Sequence, residues 1–157
     1  MCTNVDREAT RDYRKKLNKT GKGYAWKLVW VNEDKWIPPF RNKRQAGIYQ
    51  DTFYNKLKEN EIDFPQCTRV SDFNYMYTAG VFHCCLTRKL TRQIKKNQIQ
   101  YEKEYDIGPY QYRVVKVVFD AKDFVCVGEM NYIDQKEWGL PIGKNDSVCI
   151  TKFKFVK

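Results

Sequence analysis

Five cations that could grip a polyanion lie close together in one stretch: Arg88, Lys89, Arg92, Lys95 and Lys96. Wound as a helix at about 100° per residue, they occupy roughly a third of the circumference, opposite Leu90 and Ile94. Arg88 and Arg92 can each meet a pair of phosphate oxygens, whereas the lysines act as point charges. A second basic group, Arg11, Arg14, Lys15, Lys16, Arg41, Lys43 and Arg44, is divided between an N-terminal helical stretch and a loop. Positive charge toward a helix C-terminus is favoured by the dipole, so the helical part of this group is explained without a ligand.

Covalent or metal chemistry would fall on His83, Cys84 and Cys85. Neighbours on a strand point to opposite faces, so His83 shares a face with Cys85 and not with Cys84. Such a pair could generate a thiolate, but no third residue is placed to orient the histidine. The chain has no C-x-x-C, no phosphate-binding glycine motif and no G-x-S-x-G. No metal and no cofactor is therefore expected. Cys2, Cys67, Cys84, Cys85, Cys126 and Cys149 are expected as reduced, structural thiols. Aromatic residues supply a third possibility. Tyr24, Trp26, Leu28 and Trp30 alternate with Ala25, Lys27, Val29 and Val31. Aromatics beside lysines are the residue types that stack nucleobases, yet large aromatics on a strand usually face the core, and Trp26 and Trp30 are expected there.

These residues have to be positioned by elements that the pattern makes visible. The runs YRVVKVVFDAKDFVCVG and SVCITKFKFV are the richest in β-branched and aromatic residues, and both faces of the first are mostly apolar. That predicts a central strand covered on both sides. At 157 residues the chain fits one domain, 1–157, able to bury roughly 70% of its unfolded surface. The expected class is α+β: a mostly antiparallel sheet from 24–31, 80–85, 113–118, 124–128 and 148–156. About three short helices, at 5–17, 52–58 and 88–96, flank it. Thr3 is read as the start of the first, which with its basic residues over 3–20 is expected to sit peripherally. A short return strand starts at Trp36 and Ile37, and the run 65–77 is expected to be an ordered loop.

Taken in order, the motifs resemble a loosely defined group of small uncharacterised proteins encoded by phages and large DNA viruses. The resemblance is carried by Met-Cys, Tyr-x-x-Lys-Leu-Val, a hairpin ending in Pro, Ala-Gly-Val-Phe-His before a helix, then Val-Val-Lys-Val and Asp-Phe-Val-Cys-Val-Gly. It implies an intracellular accessory or virion-associated protein. The strand Gly-Val-Phe-His, the helix and the further strands also resemble the second half of the ADP-ribosyltransferase fold. That likeness would put Gly80 and Phe82 on its Gly-aromatic strand and make His83 and Glu129 the catalytic pair. The chain has neither the opening His-Gly-Thr or Arg-Gly motif before Trp26 nor the Ser-Thr-Ser triplet of that family.

Charge decides among the remaining classes. With 29 Lys and Arg against 19 Asp and Glu, the formal net charge is +10, which favours nucleic acid or an acidic protein surface as partner. No run approaches the ~18 apolar residues of a membrane span, and the opening stretch lacks a secretory core. The expected location is the host cytoplasm or a virion. The expected function is that of a non-enzymatic, basic, virion-associated or accessory binding protein with an anionic partner. The alternatives are a transferase acting on NAD or a nucleotide, and a structural capsid-associated subunit whose basic surface meets virion proteins.

Overall fold

The longest ladder joins the expected central run, 113–118, to the run at 24–31, while the central run's pairing with the closing run, 148–156, is shorter. In the computed structural model, residues 2–32, 35–37, 61–63, 75–76, 82–106, 110–131 and 146–156 are described. Strand β2 (Lys22–Asn32) pairs antiparallel with β7 (Gln111–Asp120) in unbroken register from Lys22↔Asp120 to Val31↔Gln111. On its far side β7 pairs with β10 (Lys152–Phe155), whose other edge takes β4 (Glu61–Asp63). β2 also carries β3 (Lys35–Ile37), the expected return strand, and meets β6 (Phe82–Cys85) at Trp26↔Cys85. From β6 the sheet continues through β9 (Ser147–Ile150), β8 (Phe124–Asn131), β1 (Cys2–Val5) and β5 (Tyr75–Met76). Every pairing among the described strands is antiparallel, and the fold is α+β.

This sheet returns on itself. β9 and β10 are one run of chain interrupted only at Thr151, and β7 and β8 are one run interrupted by the 3-10 turn Ala121–Asp123. The first run follows the second round the corner, pairing with β8 before it and β7 after it. Since β6 and β7 both lie on β2, the strands β2, β7, β10–β9 and β6 close a ring. Its inner face converges on one core of Ala25, Phe82, Cys84, Val117, Phe119, Phe124, Val127, Val148, Ile150 and Phe153.

Two α-helices and the 3-10 turn are present among the described residues, and the helix expected at 52–58 lies outside them. Helix α1 (Arg7–Thr20) covers the inner face. Its Leu17 is 3% exposed within the core, with Ala9 and Tyr13 packed on the same cluster. It starts one turn later than expected. Thr3 belongs to β1, and Asp6 is the cap, its carboxylate accepting from the Ala9 amide at 2.9 Å. The preceding residues satisfy their backbone groups on β8, from Cys2↔Asn131 to Val5↔Gly128, which a local helix signal cannot compete with. Gly21, at φ 75°, ends the helix by donating to Leu17 O at 2.7 Å. Helix α2 (Arg88–Glu104) packs on the opposite, outer face through Leu90 and Ile94 against Leu28, Cys85 and Tyr112. Residues 75–76 of the expected loop form strand β5 on β1, a non-local pairing with no period of its own. No helix among the described residues is long and apolar enough to cross a membrane.

Trp26, expected in the core, is half-buried on the outer face, in a row whose Leu28 is buried beneath α2. Gly23, Ala25 and Val29 point inward, and the row of Tyr24, Trp26 and Leu28 points outward toward α2. The side chain of Trp30 lies outside the described ones. Space explains the choice: a Cβ at Gly23 would overlap the Phe119 ring and come within 2.8 Å of Leu17 Cδ2, so a large ring there has no room. Gly23→Ala should therefore lower stability by about 1–3 kcal/mol through overpacking. A shift of the urea midpoint with unchanged slope checks this.

Candidate functional site

Helix α2 places the predicted cations. Thr87 caps it, its hydroxyl accepting from the Leu90 amide at 3.2 Å. Burying Leu90 and Ile94, worth roughly 1.5–3 kcal/mol each, fixes which side faces the sheet. The far end is pinned by a polar contact: Glu102, 5% exposed, accepts from the Tyr112 hydroxyl and from Gln98 Nε2 at 3.4 Å. Burial, then the adjacent Glu102 carboxylate, raises the Tyr112 hydroxyl above its ordinary value. Arg88, Lys89, Arg92 and Lys96 are left exposed and Lys95 half-buried, all on this one helix. Arg88 and Lys89 occupy the first turn, which holds no acidic residue. Positive charge there adds to the positive end of the dipole and costs about 0.3–1 kcal/mol per residue.

The outer face of β2 beside α2 is only partly covered. Leu28 is buried under the helix, Trp26 is half-buried and Tyr24 is 52% exposed. Lys116, cross-strand from Trp26, holds its Nζ 4.6 Å from the Tyr24 ring centroid and 5.9 Å from that of Trp26. The Arg88 guanidinium lies 5.3 Å over the Trp26 ring, so the helix cations and the sheet aromatics form one continuous surface. Past Tyr24 the surface dips into a cavity of about 120 Å³ lined by Lys22, Val118, Asp120, Asp123, Lys152 and Lys154, among others. Lys22 faces Asp120 across the ladder, and burial raises the Asp123 carboxyl above its ordinary value. The aromatic row containing Tyr24 is visible in the sequence, but Lys116, which lies against it, is not marked there as a site residue. A lysine interrupting the valines of the central strand was the available signal.

The second basic group does not join this surface. Arg11, Arg14, Lys15 and Lys16 are exposed on α1, across the sheet from α2, and Arg41, Lys43 and Arg44 lie outside the described residues. Arg14 is engaged structurally, donating from Nη2 to Val125 O at 3.1 Å and lying 5.0 Å over the Phe124 ring. On α1 the first-turn cation Arg7 is offset by Asp6 as cap and Glu8, whereas the first turn of α2 holds no acidic residue; both helices carry a lysine in the last turn, Lys19 and Lys103.

His83 and Cys85 share the outer face as expected, while Cys84 points into the inner core. All are buried, and the partner of His83 is one the sequence did not reveal: its Nδ1 lies 3.4 Å from Sγ of Cys149, which is opposite Cys126 on β8. Burial pushes the Cys84 thiol up to about 11 and the Cys85 thiol up to about 12. The hydrogen bond with Cys126, together with burial, raises Cys149 as well. Protonated thiols are poor nucleophiles. Glu129 lies two residues from Val127 on β8, shares its inner face, and so projects from the face opposite His83. Gly80 lies outside the described residues.

No protein-family model matches the chain, and no curated protein and no solved structure matches it.

The thiol geometry yields a measurable expectation. Alkylation at pH 8 followed by mass spectrometry should leave Cys84, Cys85, Cys126 and Cys149, all buried thiols, largely unlabelled until denaturant is added. Because the folded-state values of Cys84 and Cys85 are raised, their contribution to stability is complete below the ordinary thiol range. It is lost as pH climbs through about 11 to 12.

Proposed function

We propose that the chain is a non-enzymatic nucleic-acid-binding protein that contacts the phosphate backbone with the outer face of α2. A phage or viral accessory role belongs to the same proposal. The observation that carries it is the placement of Arg88 and Lys89 at the positive end of α2, followed by Arg92, Lys95 and Lys96 on the same side. Cations at a helix C-terminus are accounted for by helix stability alone; at the N-terminus they oppose it, and a polyanion offsets the cost. The net charge of +10 adds long-range attraction of the same sign. Chemistry on a bound nucleotide has less support, since His83 and Glu129 do not share a face and the thiols beside His83 are held protonated.

Backbone contacts release counterions, so affinity for an oligonucleotide should fall steeply with salt and depend little on base sequence. Replacing Arg88 and Arg92 together by Ala should weaken binding and lower the slope of log affinity against log salt by about 2. Circular dichroism and the unfolding midpoint should stay near those of the parent. An unchanged slope would remove α2 from the interface.

A further inference from the structure

We infer that the outer face of β2 and β7, where no described residue covers Tyr24, is a stacking platform for unpaired bases, so that the partner is single-stranded nucleic acid. This rests on the nucleic-acid reading above and narrows it. Tyr24 is an aromatic ring on a sheet face, 52% exposed, beyond the part of the strand that α2 covers at Leu28. Trp26 stands two residues along on the same face, about 7 Å away along the strand. Lys116 and Arg88 lie against these two rings, within 4.6 to 5.9 Å of their centroids. On β10, the exposed Lys154 is opposite Val118, which is itself opposite Tyr24, placing a further cation about 10 Å across the sheet.

Aromatic surface flanked by cations is the combination that binds single strands: rings take the π-faces of bases while cations track the phosphates. A duplex cannot use it, because its bases are already stacked on both faces and paired at their edges. It would meet only the cations. Stacking tolerates every base, so the platform adds affinity without adding sequence preference.

The test compares an oligothymidylate with a blunt-ended, two-strand DNA duplex of similar charge, for the parent and for Tyr24→Ala and Tyr24→Phe. The parent should bind the single strand more tightly than the duplex. Tyr24→Ala should weaken single-strand binding roughly tenfold, and Tyr24→Phe should retain it. Neither variant should change duplex affinity or the salt slope, since Tyr24 carries no charge. Equal binding of single strand and duplex, with Tyr24→Ala indifferent to both, would overturn the stacking inference and leave backbone binding by α2 standing. Binding to neither at low salt would overturn both.

Discussion

The geometry of the molecule depends on a corner that a backbone ladder has to turn without losing its partners. The run from Gln111 to Asn131 bends at Ala121–Asp123, and the antiparallel run from Ser147 to Phe155 bends with it at Thr151. Polar contacts between described residues hold the bend. The Thr151 amide donates to Asp123 O at 2.9 Å, its hydroxyl approaches the Asp123 carboxylate at 3.4 Å, and the Ala121 amide donates to Gly21 O at 3.0 Å. Gly21 thus serves twice, as the left-handed end of α1 and as an acceptor for the corner. Turning the corner folds the inner face onto itself, and α1 completes that enclosure. What remains outside is the opposite pleat of the same strands.

That outer pleat is divided by the length of α2. Where the helix lies, Leu28, Cys85 and Tyr112 are covered; where it does not, Tyr24 and Trp26 carry Arg88 and Lys116 on their rings. The two helices differ in a way charge counting hides. On α1 the first-turn cation Arg7 is accompanied by Asp6 and Glu8, Lys19 sits at the favourable end, and Arg14 is occupied with Val125 and Phe124. On α2 the first-turn charges run against the dipole. Equal numbers of basic residues therefore carry unequal information about ligands.

Elements whose stability is local were legible. Helix α2 was visible from Thr87 and from the spacing of Leu90 and Ile94, and its five cations fell on one side because a helical wheel requires only periodicity. The strand at 113–118 was visible from its valines. Features set by distant partners were not. Strand β1 is four residues whose ladder lies on β8, and β5 depends on β1 in turn. Trp26 was misplaced because ring size was weighed and the smallness of Gly23 and Ala25 was not, although small residues mark close approach as surely as large ones mark burial. Tyr24 could not be recognised as surface from its neighbours, since its exposure is decided by which part of β2 lies beneath α2.

The closed ring also governs how the chain reaches its native state. His83 and Cys149, in contact across β6 and β9, are separated by 66 residues in sequence, and Thr10 bonds to Val127 across 117. Closure must meet the entropy of bringing such remote segments together before their hydrogen bonds return anything, which places the domain among slow folders, on millisecond-to-second timescales. Until β9 and β10 dock, β6 and β7 each present an unpaired edge. An open edge is a template for pairing with another copy, and a surplus of like charge keeps such chains apart while the ring is open.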